Sequence, residues 1–174
     1  MSQEKRLAGI RCGILTASDR ISRGQGKNES GQYLAQTLGA EGAEVLAHVV
    51  VPDDLETIAR TLADMADTLR VDLVLTTGGS GVAPRDVTPE ATLRVIERQV
   101  PGIPEAARVA TGSRAPLAML SRAVAGIRGR TLIVNLPGSP RGVREWMEVI
   151  LPVLRHAVEL LQDRQLEWGR EHRP

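Results

Sequence analysis

Apolar positions fall into blocks whose spacing changes along the chain. Leu7–Ala17 (LAGIRCGILTA) is mostly apolar and predicts a strand, and the polar run Ser18–Ser30 after it predicts a loop. Leu34, Ala35 and Leu38 recur at helical spacing within Gly31–Gly39, with Ser30 placed to cap that helix. Ala43–Val51 is rich in β-branched residues and ends at Pro52, which predicts a second strand. Leu55, Ile58, Ala59, Leu62, Ala63, Ala66 and Leu69 keep a 3.6-residue period, a helix that Asp53 or Asp54 could cap. Val71–Thr77 is a short, near-continuous apolar run, the form of a strand covered on both faces.

Beyond it, Gly78–Val87 predicts a loop, and Thr88-Pro89-Glu90 predicts a helix start with Thr88 as cap and Pro89 in the first turn. A short helix is expected near Glu105–Ala110, inside the stretch from Pro101 to Pro116. Ala123–Ile127 and Thr131–Leu136, divided by Arg128-Gly129-Arg130, predict a hairpin. Arg141–Leu161 carries one apolar stripe and predicts a long amphipathic helix, followed by a charged, frayed tail from Gln162 to Pro174. Strands alternating with helices argue for an α/β fold around a parallel sheet. No repeat or linker divides the chain, so 1–174 is expected to be a single domain with its core at about 7–161.

Composition narrows the function. The 174 residues carry 22 basic and 21 acidic groups, a net charge of +1, which gives no long-range attraction to nucleic acid or an anionic membrane. Two Trp, one Tyr and no Phe leave too few rings to stack single-stranded bases. One cysteine, Cys12, allows no internal disulfide and no cysteine-based zinc site, and its apolar strand makes it inert. The three histidines, His48, His156 and His172, have no ligand spacing. The polar N-terminal segment and the lack of a long apolar run predict a cytoplasmic protein.

Open parallel sheets bind ligands beyond the carboxyl ends of their strands. Those ends are Thr16–Asp19, Pro52–Asp54, Thr76–Gly81 and Asn135–Ser139, all rich in small polar residues and glycine. Gly78-Gly79-Ser80-Gly81 leaves backbone N–H groups unshielded and suits an anion, although a plain turn also accounts for it. It is neither a Walker A loop nor a dinucleotide fingerprint. Asp53 and Asp86 could hold Mg²⁺ against phosphates, with helix capping as the structural alternative. Asn135 and the N–H groups flanking it could contact a heterocycle edge, or Pro137-Gly138 could simply turn the chain. Ser18 and Asp19 read either as a cap or as ligand contacts.

Leu75-Thr76-Thr77-Gly78-Gly79-Ser80-Gly81 and Pro84-Arg85-Asp86-Val87-Thr88-Pro89-Glu90 resemble the signature of the molybdopterin adenylyltransferase family. That family includes bacterial Mog and MoaB proteins and the G domains of gephyrin and its plant counterpart. Leu15–Asp19, Ser30-Gly31, Val51–Asp53, Met119–Arg122, Gly126–Gly129 and Asn135–Ser139 resemble further family blocks in the same order. The resemblance implies a three-layer α/β/α domain, commonly a trimer (a hexamer being the alternative). It implies adenylylation of molybdopterin with ATP and Mg²⁺, releasing pyrophosphate, and transfer of the product to a molybdenum-insertion protein. Asp53 and Asp86 take the catalytic positions and would orient Mg²⁺. Ser18, Asp19, Ser30, Thr77, Gly78, Gly79, Ser80, Gly81, Ser121, Asn135, Pro137 and Gly138 take the substrate and nucleotide positions. A molybdopterin carrier without transferase activity is the alternative within the family. Tyr33, Trp146 and Trp168 are expected to lie away from the strand-end loops, so the pocket should hold its ligands without an aromatic sandwich.

Overall fold

The computed structural model describes residues 5–162, and its elements follow the hydrophobic blocks closely. In chain order they are β1 (Arg11–Ala17), α1 (Asp19–Ser22), α2 (Glu29–Ala40), β2 (Glu44–Val51), α3 (Leu55–Asp67), β3 (Leu73–Thr77), α4 (Thr88–Val95), β4 (Arg98–Gln99), α5 (Gly102–Gly112), a 3-10 turn (Pro116–Leu120), β5 (Ala125–Arg128), β6 (Thr131–Leu136) and α6 (Pro140–Leu161). The six strands form one sheet in the order β2-β1-β3-β6-β5-β4. The first four are parallel; β5 pairs antiparallel with β6, forming the expected hairpin, and β4 pairs antiparallel with β5 at the edge.

Strand side chains alternate between the two faces of the sheet, and each face has its own core. Ile14, Leu73, Leu75, Leu132 and Val134 pack with residues of α2, α5 and α6. Leu15, Ala17, Val74 and Ile133 pack with Ile58, Ala59, Leu62 and Met65 of α3 and with Ala91 and Val95 of α4. The result is three layers, helix on sheet on helix. β3 and β6 are buried along their whole length, which explains their mostly apolar sequences. β2, at the sheet edge, alternates exposed and half-buried positions.

Several boundaries differ from expectation. The Ser18–Ser30 loop contains α1, capped by Ser18, whose Oγ accepts from Ile21 N–H. Asn28 rather than Ser30 caps α2: its Oδ1 accepts from Gly31 N–H and from Thr16 Oγ1, and its amide nitrogen lies 3.1 Å from His48 Nε2. Thr88 does not cap α4. Val87 holds that position with no side-chain bond, and the Thr88 hydroxyl donates instead to Gly78 C=O. Asp54 does cap α3, through Thr57 N–H, which leaves Asp53 free of that task. β4 was not expected, being two exposed residues on an edge. α5 extends beyond Glu105–Ala110 in both directions. The predicted tail lies outside the described residues save for Gln162, which caps α6.

Asn135 belongs to the scaffold. It is fully buried, its amide nitrogen donates to Thr76 Oγ1 and Thr92 Oγ1, and its Oδ1 accepts from Val124 N–H. It ties β6 to β3, α4 and the start of β5, and it does not reach a heterocycle edge as the sequence had suggested. Leu at this position would leave the Thr76 hydroxyl and the Val124 amide without a partner, while the Thr92 hydroxyl would keep its bond to Thr88 C=O. Each unpaired buried group costs about 1–3 kcal/mol, so Asn135→Leu is expected to lower unfolding free energy by at least about 2 kcal/mol in denaturant titrations.

Candidate functional site

Parallel register brings the strand exits together. Ala17 pairs with Val51, Thr16 with Thr77, and Thr77 with Leu136, so the segments after β1, β2, β3 and β6 meet at one edge of the sheet. A cleft of about 630 Å³ opens there. Asp53, Asp86, Gly78, Gly79, Ser18, Ser30, Thr77 and Gly138 all line it. A second hollow of about 440 Å³ adjoins it and is lined by Ser80, Gly81, Ser121, Pro137, Leu117, Leu120 and Trp146. Gly79, Asp86 and Gly138 belong to both walls.

The glycine loop owes its path to the absence of side chains. Gly78 and Gly79 have φ of 91° and 64°, in the left-handed region that other residues rarely adopt. A Cβ at Gly78 would strike Ala17 C=O, and one at Gly79 would strike Thr88 Oγ1 and lie 3.1 Å from Asp53 Oδ1. The N–H groups of Gly79, Ser80 and Gly81 donate to no acceptor among the described residues. Three unspent amide donors beside the start of α4 are what an anionic ligand requires.

The hydroxyls at this edge are turned into the scaffold. Thr77 Oγ1 donates to Pro137 C=O (2.7 Å), Ser80 Oγ to Leu136 C=O (3.2 Å) and Ser30 Oγ to Gly138 C=O (2.8 Å). Together they fix the turn after β6. Each still has lone pairs with which to accept a bond from a ligand. Ser121 Oγ accepts from Ala123 N–H at the rim of the second hollow.

The two carboxylates are held alike. Asp86 Oδ2 accepts from Ala83 N–H (2.9 Å), and Asp53 Oδ2 accepts from Asp19 N–H (2.8 Å). The remaining oxygen of each makes no hydrogen bond among the described residues. Burial pushes the Asp53 carboxyl up, and the charges of Asp19 and Asp86 push it further in the same direction. Asp19 shifts the opposite way, because the Arg85 guanidinium grips it. Asp19 lines neither hollow, so of the expected contact residues it and Asn135 are the two not brought to a wall.

Sequence reasoning missed Arg20, Lys27 and Asn28 in the first cleft. The two cations stood in the polar run after β1 and were readable as phosphate-seeking charges. It also missed Trp146, expected far from the site, whose nearly buried ring closes the floor of the second hollow from α6. Trp168 lies outside the described residues. Cys12 has no part here: burial pushes its thiol up to about 12, so it stays protonated.

An acid whose pKa is raised by folding weakens the native state once ionised; its contribution is lost as pH rises through the folded value. Asp53→Asn is therefore expected to unfold no earlier than the parent at pH 7, and to lose any stability advantage in acid. Thermal melts across pH 4–8 check this.

Residues 13–156 match the family described as a probable molybdopterin binding domain. Molybdopterin adenylyltransferase of Helicobacter pylori is 40% identical over 154 residues, covering 87% of this chain and 88% of that protein. Gephyrin of Dictyostelium discoideum is also 40% identical, over 87% of this chain but only 22% of its own length. The crystal structure of the molybdopterin biosynthesis enzyme MoaB from Thermus thermophilus superposes with a TM-score of 0.84 at 47% identity, covering 89% of this chain and 98% of that one. The matched residues 13–156 contain the glycine loop and both cleft carboxylates, and the chain belongs to the molybdopterin adenylyltransferase family of molybdenum cofactor biosynthesis.

Proposed function

We propose that this protein transfers the adenylyl group of ATP to the phosphate of molybdopterin, releasing pyrophosphate. The observation that carries the reading is the shared wall: Gly79, Asp86 and Gly138 stand between a polar cleft and a hollow with apolar lining. The polar cleft, with Arg20, Lys27 and the two carboxylates, suits a nucleotide polyphosphate. The hollow over Leu117, Leu120 and Trp146 suits a flat pterin. Two anions would then meet at the unspent N–H groups of the glycine loop.

The donor set fits Mg²⁺ shared with substrate phosphates. Each of the two carboxylates lining the cleft keeps one oxygen without a hydrogen bond among the described residues, and no group of three His, Cys, Asp or Glu able to hold a metal occurs among those residues. Mg²⁺ is commonly bound by one or two carboxylates with phosphate and water completing the shell. When bound it would neutralise charge on the departing pyrophosphate. The protein's own residues do the rest. Gly79, Ser80 and Gly81 N–H groups hold the attacked phosphate, and the cations of α1 and its loop hold the far end of the polyphosphate. An ionised phosphate is the nucleophile, so no proton has to be removed.

No described helix is long and apolar enough to cross a membrane. A cytoplasmic trimer passing its product to a molybdenum-insertion protein is the setting this reading adopts.

Asp86→Asn is expected to bind ATP and molybdopterin normally while transfer falls about 10²–10³-fold, the scale of losing one transition-state charge stabiliser. Pyrophosphate release on adding Mg-ATP and molybdopterin measures it. Unchanged turnover would refute the role of Asp86. Molybdopterin binding by the parent protein without pyrophosphate release would make it a carrier instead.

A further inference from the structure

Asp19 is an acidic residue at the lip of the site that lines neither the cleft nor the hollow. Its contacts are specific. Oδ2 accepts from Arg85 Nε (2.9 Å), and Oδ1 accepts from Arg85 Nη2 (2.9 Å) and from Asp53 N–H (3.1 Å). Its own N–H donates to Asp53 Oδ2 (2.8 Å). Asp19 and Asp53 therefore clasp each other reciprocally, carboxylate to backbone, in both directions. Arg85 is the residue next to Asp86.

We propose that Asp19 and Arg85 form a strut that sets the position of Asp86 relative to Asp53, making both of them positioning residues. The proposal rests on the reading of the cleft given above. Four bonds link three separate strand exits: the end of β1 at Asp19, the end of β2 at Asp53, and the β3–α4 loop at Arg85. Among the described residues no other side-chain hydrogen bond ties that loop to Asp53. On its other flank the loop is held by Arg122, whose guanidinium donates to Gly81 C=O, Asp86 C=O and the Glu90 carboxylate. Val82, Ala83, Pro84 and Arg85 between these anchors are exposed and lack regular structure. Arg122 fixes Gly81 and Asp86 at the two ends of this segment; the strut fixes Arg85 within it and is the side-chain link from the segment to Asp53.

Charge supports the same assignment. Asp19, Asp53 and Asp86 are three like charges in one neighbourhood, and the Arg85 guanidinium is the counter-ion that offsets them. A planar guanidinium meets a carboxylate with two parallel bonds, which fixes orientation as well as distance; an ammonium cannot do this. Arg85 is 65% exposed, so the pair contributes little to global stability. Its effect should be local.

The test uses the full chain with Arg85→Lys, Asp19→Asn, and Asp19→Ala, Arg85→Ala singly and together. Mn²⁺ titration followed by electron paramagnetic resonance, with a non-hydrolysable ATP analogue present, reads the divalent site without turnover. Residues that orient metal ligands typically cost about 10–100-fold in metal affinity when changed. Weakening of that size in Arg85→Lys is expected, with a fall in kcat of about 10²-fold and an unchanged KM for molybdopterin. The double alanine variant should lose no more than the worse single one, since the two act as a unit. Metal affinity and kcat equal to the parent in both Arg85→Lys and Asp19→Asn would overturn the strut, as would additive losses in the double variant. Asp53→Asn and Asp86→Asn run alongside. If those two keep full activity, the reading of the cleft itself fails; if they are inactive while the strut variants match the parent, only the strut fails.

Discussion

The carbonyl of Ala17 occupies the space that a side chain would need at residue 78, and much of the site follows from that contact. Because Gly78 has no Cβ, the exit of β3 can cross close to the end of β1. Gly79 can then continue with positive φ, bringing its backbone within reach of Thr88 and beside Asp53. Thr88 locks the turn by donating to Gly78 C=O, while Thr88 N–H donates to Gly79 C=O. The loop is thereby pinned to the first turn of α4, with its next amides unspent. A bulkier residue at either glycine would move the carboxylates and the amide donors together.

A consistent division of labour results. Side-chain hydroxyls at the strand exits hold backbone carbonyls, Asn135 holds the layers together, and backbone amides are left for the ligand. This suits a site for two anionic substrates. Amide donors in a rigid turn carry no charge of their own to be desolvated and need little reorganisation when charge develops near them. The cost appears at Asp53, a carboxyl kept half-buried beside two others, whose ionised form is disfavoured by its surroundings. Stability given up at such a point is typical of a binding site.

The second hollow modifies what the scarcity of aromatics implies. With two Trp and one Tyr in the chain, a sandwich of rings around a heterocycle is excluded by supply. Yet Trp146 backs the hollow from α6, while exposed Leu117 and Leu120 of the 3-10 turn line it too. A flat ligand there would meet one ring from the core and aliphatic side chains from a surface turn. The periodicity of α6 marks a core-facing stripe and does not show which core residue also meets a cavity.

Much was settled by the sequence alone. Near-continuous apolar runs such as Val71–Thr77 suit burial on both faces, so the alternating order of elements implied a layered, mostly parallel sheet with its site at the strand exits. Consecutive glycines at 78 and 79, and an Asp53 left idle because Asp54 caps α3, pointed to that edge. Tertiary structure decided the rest, because local pattern says nothing about partners distant in sequence. Ser30 and Thr88 resembled caps, but their hydroxyls bond to carbonyls of Gly138 and Gly78. Asn135 resembled a ligand contact but lies inside the sheet, where only the packing of β3 and α4 supplies its acceptors. Asp19 and Arg85 are separated by 66 positions, and only the crossing of the β1 and β3 exits makes them an ion pair. A sequence shows which residues can carry charge or hydrogen bonds; the fold determines where each of those bonds is spent.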